Sequence, residues 1–133
     1  MSTNSFVNIV DERGLVMQVR YDLFVMQLLK ADTQDMMRMH VGLGIASEAG
    51  EVADCIKKEV VYRKPPDKKH LIEELGDLRF YMEAAMSLYG ITDQEVLQEN
   101  ANKLARRYQS LTYSDTEALA RADKLGQVEV KNL

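Results

Sequence analysis

The sequence predicts an all-α domain. Apolar residues recur at helical spacing in four long stretches, only two prolines and seven glycines interrupt 133 residues, and two-residue alternation is absent.

Residues 1 to about 13 read as a loose lead-in. The first helical pattern runs from Leu15 to Lys30, with Val16, Val19, Leu23, Met26 and Leu29 in register. A polar break at Ala31–Asp35 precedes a second pattern, Met36–Tyr62, which stops at Arg63-Lys64-Pro65-Pro66 because proline cannot continue a helix. The third opens at Asp67, an N-cap residue type, and closes at Tyr89-Gly90, where glycine suits the left-handed C-cap. The fourth opens at Thr92, with Glu95 placed for a capping box, and runs to about Gln109. A short helix at Asp115–Lys124 and a polar tail follow. The expected architecture is one domain over residues 1–133, with its core at about 15–125. It is an antiparallel bundle of four main helices whose apolar faces are completed by dimerisation.

Composition narrows the function. The apolar and charged shares, 46% and 29%, are those of a folded globule and exclude a disordered chain. A net charge of −4 excludes the basic face of a nucleic-acid polymer binder, yet permits a polyanionic ligand bridged by a divalent cation. Cys55 is the only cysteine, so no intrachain disulfide forms. Met1–Asn8 lacks the basic start and apolar core of a secretion signal, and no run approaches the roughly 18 apolar residues of a membrane span. The expected location is cytoplasmic, with no membrane partner.

The chemistry lies in carboxylates on the wrong face. In the second helix Val41, Ile45, Val52 and Ile56 form an apolar stripe, and Glu48 falls inside it, with Glu51 one turn along. In the third, Leu71, Leu75, Leu78, Met82 and Tyr89 form the stripe; Glu74 borders it and Asp77 lies beside it, whereas Glu73 points further toward solvent. A carboxylate facing a helical core is costly unless paired or bound to metal. Two i,i+3 pairs on consecutive antiparallel helices can converge. Their repulsion is relieved by a hard divalent cation, with Mg²⁺ the common choice beside phosphates and Mn²⁺ an acceptable substitute. The bland alternative is that each ExxE-type pair is a solvated face.

Asn100, Lys103 and Arg107 share one face of the fourth helix; Leu97, Leu104, Tyr108 and Leu111 share another. Lys and Arg beside bound metal suit a triphosphate, and salt bridges to the carboxylates are the alternative. His40 and His70 read as boundary residues. A di-iron Glu-x-x-His reading fails because Met37 and Asp67 stand where glutamates are needed. Cys55 reads as a core thiol, and Met26, Met82 and Met86 as core filler.

Three runs together carry a family resemblance. His40-Val41-Gly42-Leu43-Gly44-Ile45-Ala46-Ser47-Glu48-Ala49-Gly50-Glu51-Val52-Ala53-Asp54, with Ile56-Lys57-Lys58 after it, resembles the first motif of the MazG-like nucleotide pyrophosphohydrolases. Glu73-Glu74-Leu75-Gly76-Asp77-Leu78 with Tyr81 resembles the second, and Asn100-Ala101-Asn102-Lys103-Leu104 with Arg106-Arg107-Tyr108 the third. The resemblance spans roughly Gln18 to Lys124 and implies a helical dimer or tetramer that uses Mg²⁺ to hydrolyse nucleoside triphosphates to monophosphate and pyrophosphate. It implies Glu48, Glu51, Glu74 and Asp77 as metal ligands, and Asn100, Lys103 and Arg107 as substrate contacts. Glu51 is the expected general base, and Lys103 and Arg107 the expected stabilisers of phosphate charge. After Tyr108 the chain departs from the Pro-Glu-Gly-Phe-like turn of relatives and reads Gln109-Ser110-Leu111-Thr112-Tyr113, with Tyr113 at the aromatic position. The alternatives are a non-catalytic nucleotide- or protein-binding dimer, and a phosphoribosyl-ATP pyrophosphohydrolase.

Overall fold

A computed structural model describes residues 5–124. The polar tail expected beyond Lys124 lies outside them. The chain divides into two compact units, Met1–Ile91 and Thr92–Leu133.

The first unit opens with a β-hairpin, which corrects the all-helical expectation. β1 (Phe6–Val10) pairs antiparallel with β2 (Val16–Arg20), Phe6 opposite Arg20 and Val10 opposite Val16. The Asp11 carboxylate accepts from the N–H groups of Arg13 and Leu15, and Gly14 turns the chain at φ +80°, a conformation glycine adopts without strain. Val7, Ile9, Val10, Val16 and Val19 are β-branched, which favours the extended form. The helix α1 is therefore short, Tyr21–Leu28, and begins six residues later than the spacing from Leu15 predicts.

α2 (Gln34–Val61) starts at an N-cap Thr33 whose hydroxyl accepts from Met36 N–H, and it ends before Pro65-Pro66. α3 (Lys68–Tyr89) starts at Asp67, which caps His70 N–H at 3.0 Å, and stops at Gly90 with φ +65°. α3 packs antiparallel along α2 and also against α1. Val25, Leu29, Val41 and Ala84 form the buried cluster, flanked by Met26, Met37, Ile45, Phe80, Tyr81 and Leu88. On α3 Ala84 and Met86 are buried, with Phe80, Tyr81 and Leu88 half-buried beside the cluster. The expected stripe is corrected: Leu75, Met82 and Tyr89 are exposed. On α2, Val41 is buried and Ile56 is half-exposed.

The second unit holds α4 (Asp93–Arg107), α5 (Asp115–Ala120) and a 3-10 turn, Ala122–Lys124. The capping box at Thr92 and Glu95 forms in full. Both α5 and the 3-10 turn pack on α4. None of the described helices is long and apolar enough to cross a membrane.

Candidate metal centre

The centre grows from one close approach between α2 and α3. Gly44 faces Tyr81, whose ring fills the space a side chain there would need. His40, one turn earlier on α2, meets the same ring edge-on at 5.7 Å. Glu48 lies one turn beyond Gly44, and Asp77 one turn before Tyr81, so the contact that draws the axes together also draws these two carboxylates toward each other. Glu74 joins from α3 at i−3 to Asp77. Oxygens of Glu48, Glu74 and Asp77 lie within 4.8 Å of one another.

Electrostatics shows the strain of that arrangement. Burial pushes the Glu48 carboxyl above its ordinary range, and the negative charges of Asp77, Glu74 and Glu51 push it further. Three oxygen donors on two packed helices, with Glu48 and Glu74 half-buried and Asp77 exposed, form a hard anionic set that a divalent cation satisfies. The residues present fit such an ion.

Glu51 is exposed and lies outside that trio, although its charge reaches Glu48. Glu73 is also exposed, while the Glu74 side chain is only 14% exposed. Asp54 serves its own helix instead: Lys57 and Lys58 hold it at 2.5 and 2.6 Å and draw its carboxyl down to about 2.

Two further residues stand beside the centre. Cys55 and His70 each bring a donor atom within 4.8 Å of Glu74, and His70 Nδ1 stands 3.4 Å from Glu74 Oε1. Burial, and then the charge of Glu74, pushes the Cys55 thiol up. The signal was present: Cys55 is two turns beyond Glu48 on the same face, and His70 is one turn before Glu74.

In the second unit Asn100, Lys103 and Arg107 share a face of α4, with Asn100 exposed and Lys103 and Arg107 half-buried. Arg107 is engaged there: its guanidinium donates two hydrogen bonds to Asp123, at 2.7 and 3.0 Å, and Asp123 is buried. Tyr113, in the altered turn, donates its hydroxyl to Asp115 at 2.6 Å and lies 5.9 Å from the Tyr108 ring.

Residues 39–112 match the MazG nucleotide pyrophosphohydrolase domain, a stretch that contains the carboxylate trio, Glu51, Asn100, Lys103 and Arg107. The chain is similar to the uncharacterized protein YvdC of Bacillus subtilis (strain 168), 28% identical over 74 residues that cover 49% of this chain and 70% of that protein. No solved structure matches it significantly. With more than half its length in that match and the trio at the junction of two of its helices, the chain belongs to the MazG nucleotide pyrophosphohydrolase domain family.

Proposed function

We propose that the protein hydrolyses a nucleoside triphosphate to the monophosphate and pyrophosphate, with Mg²⁺ held by Glu48, Glu74 and Asp77. The observation that carries this is the convergence of those three carboxylates from two helices. The cation, when bound, supplies charge neutralisation and Lewis-acid polarisation of the phosphate chain. Glu51, exposed one turn from Glu48, orients a water and accepts its proton on a carboxylate oxygen. The water oxygen bonds to the α-phosphorus, the bond from that phosphorus to the bridging oxygen breaks, and pyrophosphate leaves. Asn100 and Lys103 are assigned to substrate oxygens on their motif match alone, with Lys103 balancing the charge that builds on them. Arg107 belongs to the same motif, and its commitment to Asp123 makes its role a positioning one in this proposal.

The test is pyrophosphate release from a panel of canonical and modified NTPs and dNTPs, with Mg²⁺ and with EDTA. Metal-dependent release with a monophosphate co-product is the expected result, abolished in Glu48→Ala. No release from any substrate by folded, Mg²⁺-replete protein overturns the reading, as does full activity of Glu48→Ala.

We also propose that a second copy of the chain covers the apolar outer faces of α2 and α3. Leu43, Val60, Val61 and Ile72 are each at least 60% exposed, and apolar side chains of this kind are covered at a subunit interface. Light scattering on the eluting protein is expected to give a dimer or a multiple of it; a monomer at micromolar concentration refutes this.

A further inference from the structure

The hard carboxylate trio has a chemically different neighbour. Cys55, His70 and Glu74 place a sulfur, an imidazole nitrogen and a carboxylate oxygen within 4.8 Å of one another. Hard cations choose oxygens; a thiol beside an imidazole is the donor pair of Zn²⁺ and its relatives. The spacing also fits. Two ligands bonded at about 2.0–2.1 Å around a tetrahedral Zn²⁺ stand about 3.3 Å apart, and His70 Nδ1 stands 3.4 Å from Glu74 Oε1. His70 and Glu74 are one turn apart on α3, Cys55 faces them from α2, and none of the three is more than half-exposed.

Three protein ligands leave a fourth position. Cys55 and His70 both line a cavity of about 550 Å³ between the end of α2 and the start of α3, walled by Pro65, Pro66 and Leu71. An ion held by the three side chains borders that cavity, with room for a water or a small ligand.

We propose that Cys55, His70 and Glu74 form a binding site for a thiophilic divalent cation of the Zn²⁺ class. The site shares Glu74 with the trio formed with Glu48 and Asp77. Glu74 carries two oxygens and can therefore serve both clusters, bridging the two ions; this link between the sites rests on the trio's proposed role, whereas the site itself does not.

The experiment uses Co²⁺ as a spectroscopic stand-in for Zn²⁺, titrated into the full chain under reducing conditions. One equivalent is expected to give a near-ultraviolet thiolate-to-cobalt charge-transfer band with the intense visible bands of a tetrahedral ion. Cys55→Ser is expected to abolish the charge-transfer band. His70→Ala is expected to weaken Co²⁺ binding by more than the roughly 10–100-fold that loss of an outer-shell partner costs. Glu48→Gln, which leaves all three ligands in place, is expected to keep the band and so shows that the protein is folded and competent. Zn²⁺ should displace the Co²⁺ and millimolar Mg²⁺ should not. Absence of the charge-transfer band, a band indifferent to His70→Ala, or displacement by Mg²⁺ overturns the proposal. The readout is an absorption band, so it stands or falls separately from any turnover of nucleotides.

Discussion

The ring of Tyr81 occupies the place of a missing side chain on Gly44: a Cβ there would lie 2.5 Å from Cε1 and 2.6 Å from Cγ of the ring. That contact fixes the spacing of α2 and α3 one turn from Glu48 and from Asp77. Alanine at residue 44 brings two opposed effects. It gains about 1 kcal/mol of helix propensity over glycine, and it forces the ring or the helix axis to move, at a cost of about 2 kcal/mol. Gly44→Ala is therefore expected to lose roughly 1 kcal/mol in urea unfolding. In a Tyr81→Ala background the clash is gone, and the same change is expected to stabilise. A stabilising Gly44→Ala in the wild-type background refutes the contact.

Glu48 offers a second test, with its sign set by charge. Its carboxyl is raised in the folded protein by burial and by Asp77, Glu74 and Glu51. A raised acid holds its proton longer folded than unfolded, so the unfolded state binds fewer protons in that window and stability falls as pH rises through it. The metal-free protein is thus expected to lose stability as pH climbs above the ordinary glutamate value of 4.5. Glu48→Gln should flatten that slope and raise the metal-free melting temperature at neutral pH. It should also weaken Mg²⁺ binding by more than the roughly 10–100-fold that outer-shell losses cause. Thermal melts with EDTA and with a Mg²⁺ series check both parts; unchanged Mg²⁺ stabilisation removes Glu48 from the ligand set.

Much of this was legible in the sequence where local chemistry decides the outcome. Asp67, Gly90 and Thr92 mark helix ends because caps act within a single turn, and all three sit at the ends where the residue types put them. Val16 to Arg20 form a strand although Val16, Val19 and Leu23 satisfy a helical period by chance over a short run. The hairpin depends on a partner strand at residues 6–10 and on the Asp11–Gly14 turn, neither of which periodicity detects. The α3 stripe was misplaced for a related reason. The small Ala84 is what admits α1 and α2 to the core, a role that side-chain hydrophobicity does not reveal, and Leu75 is left facing outward. At the site, facing direction identified Glu48 as a misplaced carboxylate. Cys55 and His70 look ordinary on their own helices, and their meeting with Glu74 exists only across the pair.

The cap at Thr92 gives a clean local prediction for α4. The Thr92 hydroxyl accepts from Glu95 N–H at 3.1 Å, and the Thr92 N–H donates to Glu95 Oε2 at 2.7 Å. These bonds satisfy backbone donors that helix geometry leaves unpaired. Thr92→Ala is expected to destabilise by about 1 kcal/mol and Thr92→Ser by much less. Urea titrations of the two variants compare them directly; equal losses would mean that the hydroxyl contributes nothing.

The pairing of Arg107 with Asp123 separates a structural arginine from a substrate-gripping one. The guanidinium spends two of its donors on a buried carboxylate, which joins the end of α4 to the 3-10 turn and leaves fewer donors for phosphate. If the pair acts as a unit, Arg107→Ala and Asp123→Ala should each destabilise, and the double variant should be little worse than either single one. Acid provides an independent check. Arg107 holds the Asp123 carboxyl down to about 2, against an ordinary value of 3.8. A depressed acid contributes stability above its unfolded value and loses it as pH falls toward its folded one. The wild type is thus expected to weaken between about pH 4 and pH 2 by an increment that Asp123→Ala lacks. Additive single-variant losses, or identical acid titrations of wild type and Asp123→Ala, would return Arg107 to the role of a phosphate ligand. The same variants, assayed for pyrophosphate release, would then show the loss in KM for the nucleotide and not in stability.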